Sequence, residues 1–296
     1  MDAAQKFIGE LAKNVSMPKI YLDIRKLIRQ PHASINDYVE LIQNDSTLTN
    51  RILRIANSDF FGFSRKVETL NQALNLIGII QLHDLLLSSL CIRTFSAIPT
   101  QVFNMKAFWH YSTQCGIAAR IIAQHSFAPI SNHYFTLGLL HEIGHAAMYS
   151  KRPELSLQAL EESQTQNIEV QQLEDDYLGF NYTQAGNALM QLWHLPDVYQ
   201  QVASFHLIPE LADETCQYEV QIIHLAHTIC QNPVLEAHQE TITSIQESVP
   251  QLKNLPSNID DIIINELKTH TDDVLNILWP DTVQEILLED GLLNNE

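Results

Sequence analysis

The chain has 296 residues, 45% of them apolar and 18% charged. That is enough for one large helical domain or two smaller ones, and too apolar for a disordered chain. The net charge of −18 is unevenly spread: residues 1–150 carry 13 basic and 10 acidic side chains, residues 151–296 only 4 basic and 25 acidic, a surface that repels phosphate and excludes nucleic acid as a partner.

The chain opens on MDAAQKFIGELAKN, an amphipathic helix with charges throughout. It lacks the apolar core and small-residue cleavage site of a signal peptide, so residence in the cytoplasm is expected. No stretch of about 18 apolar residues occurs without a charge, so no membrane span is predicted. Ser34 precedes INDYVELIQ as an N-cap, with Asp37 three residues on. The helix LTNRILRIA then runs into NSDFFG, residues 57–62. Here Asn57 and Ser58 suggest a C-terminal cap, and Gly62 permits a turn. Phe60 and Phe61 either pack back on the bundle or form a partner-contact loop flanked by Arg51, Arg54, Arg65 and Lys66.

Residues 69–90 place Leu70, Ala73, Leu74, Ile77, Ile80 and Leu85 at three- and four-residue spacing. The same period recurs over 105–124, 133–149, 183–193, 197–206 and 219–231. No segment alternates with period two, so the predicted fold is all-α, with two packed helical bundles. The loop at 95–104 and a break from Gln231 to about Ser257 divide the chain. The expected parts are an N-terminal bundle (1–98), a second bundle (99–235) and an acidic helical extension (236–296) whose end frays. Cys91, Cys115, Cys216 and Cys230 form no CxxC pair and read as small buried hydrophobes.

The chemistry concentrates in GLLHEIGHAAM, residues 138–148, where His141 stands beside Glu142 with His145 one turn on. Imidazole and carboxylate are the usual ligands of Zn, Fe, Mn or Ni. Neighbours on a helix diverge by about 100°, yet both reach an ion lying over the groove between them. His141–Glu142–Ile143–Gly144–His145 fits HExxH, but a zincin also needs a third downstream ligand and a strand edge for its peptide, and no strand is predicted. His110, on a face with Ile117 and Ile121, His206 after Val202 and Phe205, and His227 on the stripe Val220–Ile223–Cys230 all look inward. One such histidine alone reads as a hydrogen-bonded core residue; four on separate helices suit a metal site built across a bundle. No GxSxG, P-loop or GxGxxG occurs.

Taken in order, MPKIYLDIRKLI, INDYVELIQNDSTLTNRILRIANSDFFG, ETLNQALNLIGIIQLHDLLL, FWHYSTQCGIAARIIA, GLLHEIGHAAM, LGFNYTQAGNALMQLWHLPDVYQQVASFH and IIHLAHTIC resemble HDOD domains over roughly residues 15–232. HDOD domains are signalling relatives of the HD-type metal-dependent phosphohydrolases. The resemblance implies that the second bundle is HD-phosphohydrolase-like, with His110 as the first metal-binding histidine and His141 as the histidine of the His-Asp pair. Glu142 stands where aspartate is usual, Tyr182 and Phe205 where histidines are usual, and His227 where the late aspartate would be. His110, His141, Glu142, His206 and His227 then remain as ligands for one divalent transition metal (Fe, Mn, Zn or Ni), with Tyr182 set to fill the site. A two-metal hydrolytic centre is not expected. The resemblance implies a non-catalytic regulatory module that requires no cofactor and binds an unidentified signalling protein or small ligand in bacterial signal transduction, away from nucleic acid and membrane. The alternative it leaves is a metal-dependent phosphohydrolase acting on a nucleotide or phosphoester.

Overall fold

Capping residues set where these helices start. The computed structural model describes residues 2–12, 17, 19–61, 66–96, 98–99, 103–126, 131–231, 242–244, 246–247 and 249–279. Every regular element among them is helical, and no single helix is long and apolar enough to cross a membrane. The chain divides into two units. The first comprises Met17–Thr94 and Thr269–Glu296, the second Met1–Ser16 and Phe95–Lys268.

Helix α1 (Ala3–Leu11) opens on an Asp2 capping box. It was expected in the N-terminal bundle, but it belongs to the second unit. The cause is local. The Phe7 ring lies 4.9 Å from that of Phe180, while Lys151 Nζ donates to the Phe7 carbonyl at 2.9 Å and pairs with Glu10 at 2.6 Å.

The first unit holds α2 (Lys19–Ile28), α3 (Ile35–Ile42), α4 (Ser46–Ala56), α5 (Leu70–Ile77) and most of α6 (Ile79–Ser96). Asp37 reaches back to accept from the Ser34 amide at 2.6 Å, and the Asp45 side chain accepts from the Leu48 amide at 2.8 Å. These contacts satisfy donors that a helix start leaves open. The stripe expected to run through 69–90 is broken at Gly78, whose φ of 82° only glycine adopts freely. The helix turns by 105° there. The break resets the phase, so Ile80, expected inside, is 59% exposed.

The NSDFFG segment proves to be a latch. Asn57 accepts from the Val67 amide at 2.8 Å and donates to the Val67 carbonyl at 2.8 Å. It also donates to Leu53 O at 2.8 Å, at the C-terminal end of α4. Its backbone is not left-handed, so it caps through its side chain. The expected partner-contact residues are largely engaged within the unit. Arg51 is buried and donates to Ser89, and Phe60 is buried with its ring 5.7 Å from that of His270. Arg54 is exposed, and its Nη2 donates to Asn276 O at 3.1 Å. The Phe61 side chain, Gly62, Arg65 and residues 280–296 lie outside the described residues.

In the second unit α1 is joined by α7 (Met105–His125), α8 (Ser131–Leu140), α9 (Ile143–Lys151), α10 (Pro153–Gln166), α11 (Val170–Leu178), α12 (Tyr182–Leu192), α13 (Asp197–Phe205) and α14 (Gln217–Gln231). Helix α15 (Ile259–Leu278) was expected in a separate extension. Its residues to Lys268 count with the second unit and those from Thr269 with the first. Buried Ile259 and Ile263 give the earlier part its apolar face, and buried Leu252 and Leu255 lie just before it. Helix α7 packs closely on α8, where a Cβ on Gly116 would lie 2.7 Å from Phe135 O and one on Gly138 would lie 2.6 Å from Cys115 O.

Replacing Asn57 by Ala removes both hydrogen bonds to Val67 and is expected to cost about 1–2 kcal/mol of stability. Asn57→Asp keeps only the acceptor and should fall between the two; chemical denaturation of the three proteins gives the order.

Candidate metal centre

The His141–Glu142 pair sits where one predicted helix becomes two. Helix α8 ends at Leu140 and α9 begins at Ile143, with Glu142 at φ −106° and ψ 21° between them. A continuous helix would splay neighbouring side chains by about 100°. The break removes that constraint, and both residues reach one point.

The His141 Nδ1–H donates to Gly138 O at 2.7 Å, and that of His206 donates to Val202 O at 3.0 Å. Each bond leaves Nε2 with its lone pair free to accept or ligate. The ligand atoms of His141, Glu142, His206 and His227 lie within 4.8 Å of one another. His141 Nε2 is 3.1 Å from His227 Nδ1, and Glu142 Oε1 is 3.9 Å and 3.6 Å from those two nitrogens. Two ligands held at about 2.1 Å by one ion stand roughly 3.0–4.2 Å apart, from adjacent to opposite corners. All three separations, among His141, His227 and Glu142, fall in that range, and imidazoles with a carboxylate suit a divalent transition metal.

The protonation states agree. Burial above all, and then the neighbouring His206 and His227, hold His141 well below the ordinary histidine range. Burial, followed by His227, pushes His206 down to about 3. Burial also lowers His227, with Glu142 pulling the other way. Imidazoles kept neutral are in the ligating form.

Two phenols close the cluster. The Tyr182 hydroxyl donates to His206 Nε2 at 3.1 Å, so an ion taking that nitrogen displaces it. The Tyr111 hydroxyl lies 3.0 Å from His227 Nδ1. Burial first, and then Cys115 and Glu142 for Tyr111 or Glu142 and Glu174 for Tyr182, raise both phenols far above the usual tyrosine range. They remain protonated and are poor metal ligands.

His110 does not join the cluster. It is half-buried, and the next residue, Tyr111, carries the α7 contribution. The two positions differ by about 100° around the helix. The buried positions Phe108, Cys115, Ala118 and Ile122 run at three- to four-residue steps through 111, a phase that could have identified Tyr111.

His145 is no ligand either, which removes the zincin geometry. Its Nδ1 is 3.2 Å from Glu174 Oε1, and its ring stacks on Tyr182 at 3.9 Å. Burial lowers its proton affinity, but Glu174 and then Glu142 raise it more. Glu174 is fully buried, and its second oxygen accepts the Tyr182 amide at 2.9 Å. It lies in a polar stretch of α11 and was not identifiable from the sequence. Phe205, where the resemblance places a histidine, lines a surface groove.

The sequence of this chain matches the family described as the HDOD domain over residues 15–209. The chain belongs to the HDOD family. The HDOD domain protein of Geobacter sulfurreducens superposes with a TM-score of 0.72 at 19% identity, over 93% of this chain and 96% of that one. A protein of Shewanella amazonensis SB2B named as a candidate phosphohydrolase does so with a TM-score of 0.70 at 17% identity, over 92% and 96%. At such identities the likeness carries the fold alone. An uncharacterized protein of Treponema pallidum (strain Nichols) is 27% identical over 201 residues, 67% of this chain but 38% of that protein. The HDOD chain described here thus spans under half the length of that relative.

Gly144 permits the α9–α12 approach, since a Cβ there would fall 1.9 Å from the Tyr182 carbonyl oxygen. Gly144→Ala is expected to cost about 3 kcal/mol or more, read by thermal melting. The histidine cluster also makes the metal-stripped protein acid-sensitive. His141, His206 and His227 are neutral when folded, whereas an unfolded chain protonates them below about pH 6.5. Stability should therefore fall as pH drops from about 6.5 toward 3, by up to about 1.4 kcal/mol per pH unit for each histidine. His145, raised on folding, acts oppositely but is one against three. Denaturation at pH 7.5 and 5, compared with a His206→Gln variant, checks the slope.

Proposed function

We propose that this chain is a regulatory HDOD module of bacterial signal transduction, working in the cytoplasm by binding a signalling protein or small ligand rather than by hydrolysis. The observation that carries this reading is the pair of buried phenols against the imidazole nitrogens, Tyr182 on His206 and Tyr111 on His227. Where a hydrolytic centre would need open coordination positions and a water aligned between two ions, the chain places protonated hydroxyls.

His141, His227, Glu142 and, on release of Tyr182, His206 are the residues that would hold one Fe, Mn, Zn or Ni ion. Such an ion supplies Lewis acidity when bound, and here it would tie α8, α9, α13 and α14 together. The residues themselves do the organising: Gly138 O and Val202 O orient two rings, and the His145–Glu174 pair supports Tyr182 from behind.

A metal-dependent phosphohydrolase is the second reading, favoured by the same four-residue cluster. One experiment separates the two. Purified protein is analysed for bound metal and then assayed on phosphodiesters and nucleotides with Mn, Fe, Ni or Zn added. The regulatory reading expects at most one ion per chain and no turnover. Turnover that His141→Ala abolishes would overturn it; metal-free protein without turnover would overturn the phosphohydrolase.

A further inference from the structure

The second unit carries a groove of about 910 Å³ on the side of α12 away from Tyr182. It is lined by the start of α1, by α11, by α12 and by the segment that follows α13. Its charged lining residues, Asp2, Glu169, Asp175 and Asp176, are all acidic and all exposed, and no Lys or Arg lines it.

Three of these acids have a local role: Asp2 caps α1, Glu169 stands at the N-terminal end of α11, and Asp175 accepts from Asn181 Nδ2 at 3.1 Å. Asp175 and Asp176 occupy the last turn of α11, where the helix dipole favours cations and disfavours carboxylates. The rest of the lining along α11 and α12 is uncharged and largely polar, with Gln172, Thr183, Gln184 and Gln191 beside the carboxylates. At one end, on the turn after α13, Ile208 and Leu211 are 54% and 62% exposed.

We infer that this groove is the docking surface for a basic amphipathic segment of a partner protein. Its Lys or Arg side chains meet Asp175 and Asp176, and its apolar side chains cover Ile208 and Leu211. Charge complementarity selects this occupant: every charged group in the groove is a carboxylate, and a cationic chain with an apolar face answers both these and the exposed Ile208 and Leu211. The inference rests on reading the chain as a binding module, and it names the surface and the chemistry of the partner.

The probe is a synthetic amphipathic helical peptide with Lys along one face and Leu along the other, titrated into the full chain by calorimetry. Binding is expected, weakening as salt rises. An Asp175→Asn/Asp176→Lys variant, which keeps an acceptor for Asn181, should bind about tenfold more weakly. An independent Ile208→Ser/Leu211→Ser variant should also lose affinity; circular dichroism verifies that each is folded. No binding, equal binding by a folded groove variant, or equal binding of a peptide with Glu in place of Lys overturns the inference. Spermidine binding as tightly as the peptide also overturns it, in favour of a small-polycation site. None of these outcomes bears on the turnover assay, so docking and the regulatory reading fail separately.

Discussion

The site depends on one close contact, the approach of α9 to α12 at Gly144. With hydrogen in place of a side chain, the backbone of Gly144 lies against the Tyr182 carbonyl and the Gly186 amide. That approach brings Tyr182, at the first turn of α12, over the His145 ring and within reach of His206. Gly186 continues the seam, with Ala203 of α13 facing it. Interiors pack at crystal-like density, so an extra methyl there has nowhere to go. Glycine in a helix costs stability compared with alanine. In the HEIGH segment that cost brings two helices together and so assembles the cluster.

Three neutral imidazoles and a carboxylate brought this close form a strained arrangement unless something satisfies the converging nitrogens. Here protein groups already do much of this. Tyr182 donates to His206, Gly138 and Val202 orient their rings, and a proton on His227 Nδ1 joins it to His141 Nε2. A metal replaces that shared proton and competes with Tyr182. The buried phenols therefore raise the threshold for metal binding without abolishing the donor set.

Much of this could be read in the sequence, and the misses have definite causes. The all-helical fold followed from periodicity, and His141, Glu142, His206 and His227 from the HEIGH segment and the inward-facing stripes, which the resemblance joined into one site. His110 was assigned one residue out of phase, because a histidine in a helix invites attention before the stripe beside it does. The break between His141 and Glu142 was hidden, since the residues on both sides keep a helical pattern and the interruption is a tertiary effect. Gly78 hid a sharp turn for the same reason. The placement of α1 depended on Lys151, 144 positions away from Phe7, and no local signal encodes such a partner. Glu174 escaped because a buried carboxylate in a run of polar residues looks like a solvated one.

Helix α12 joins the histidine cluster to the acidic groove. Its first residue closes the histidine cluster, while Asn187, on the opposite side, lines the acidic groove. The close approach of Gly144 that places Tyr182 over the His145 ring therefore also fixes the face of α12 that carries Asn187.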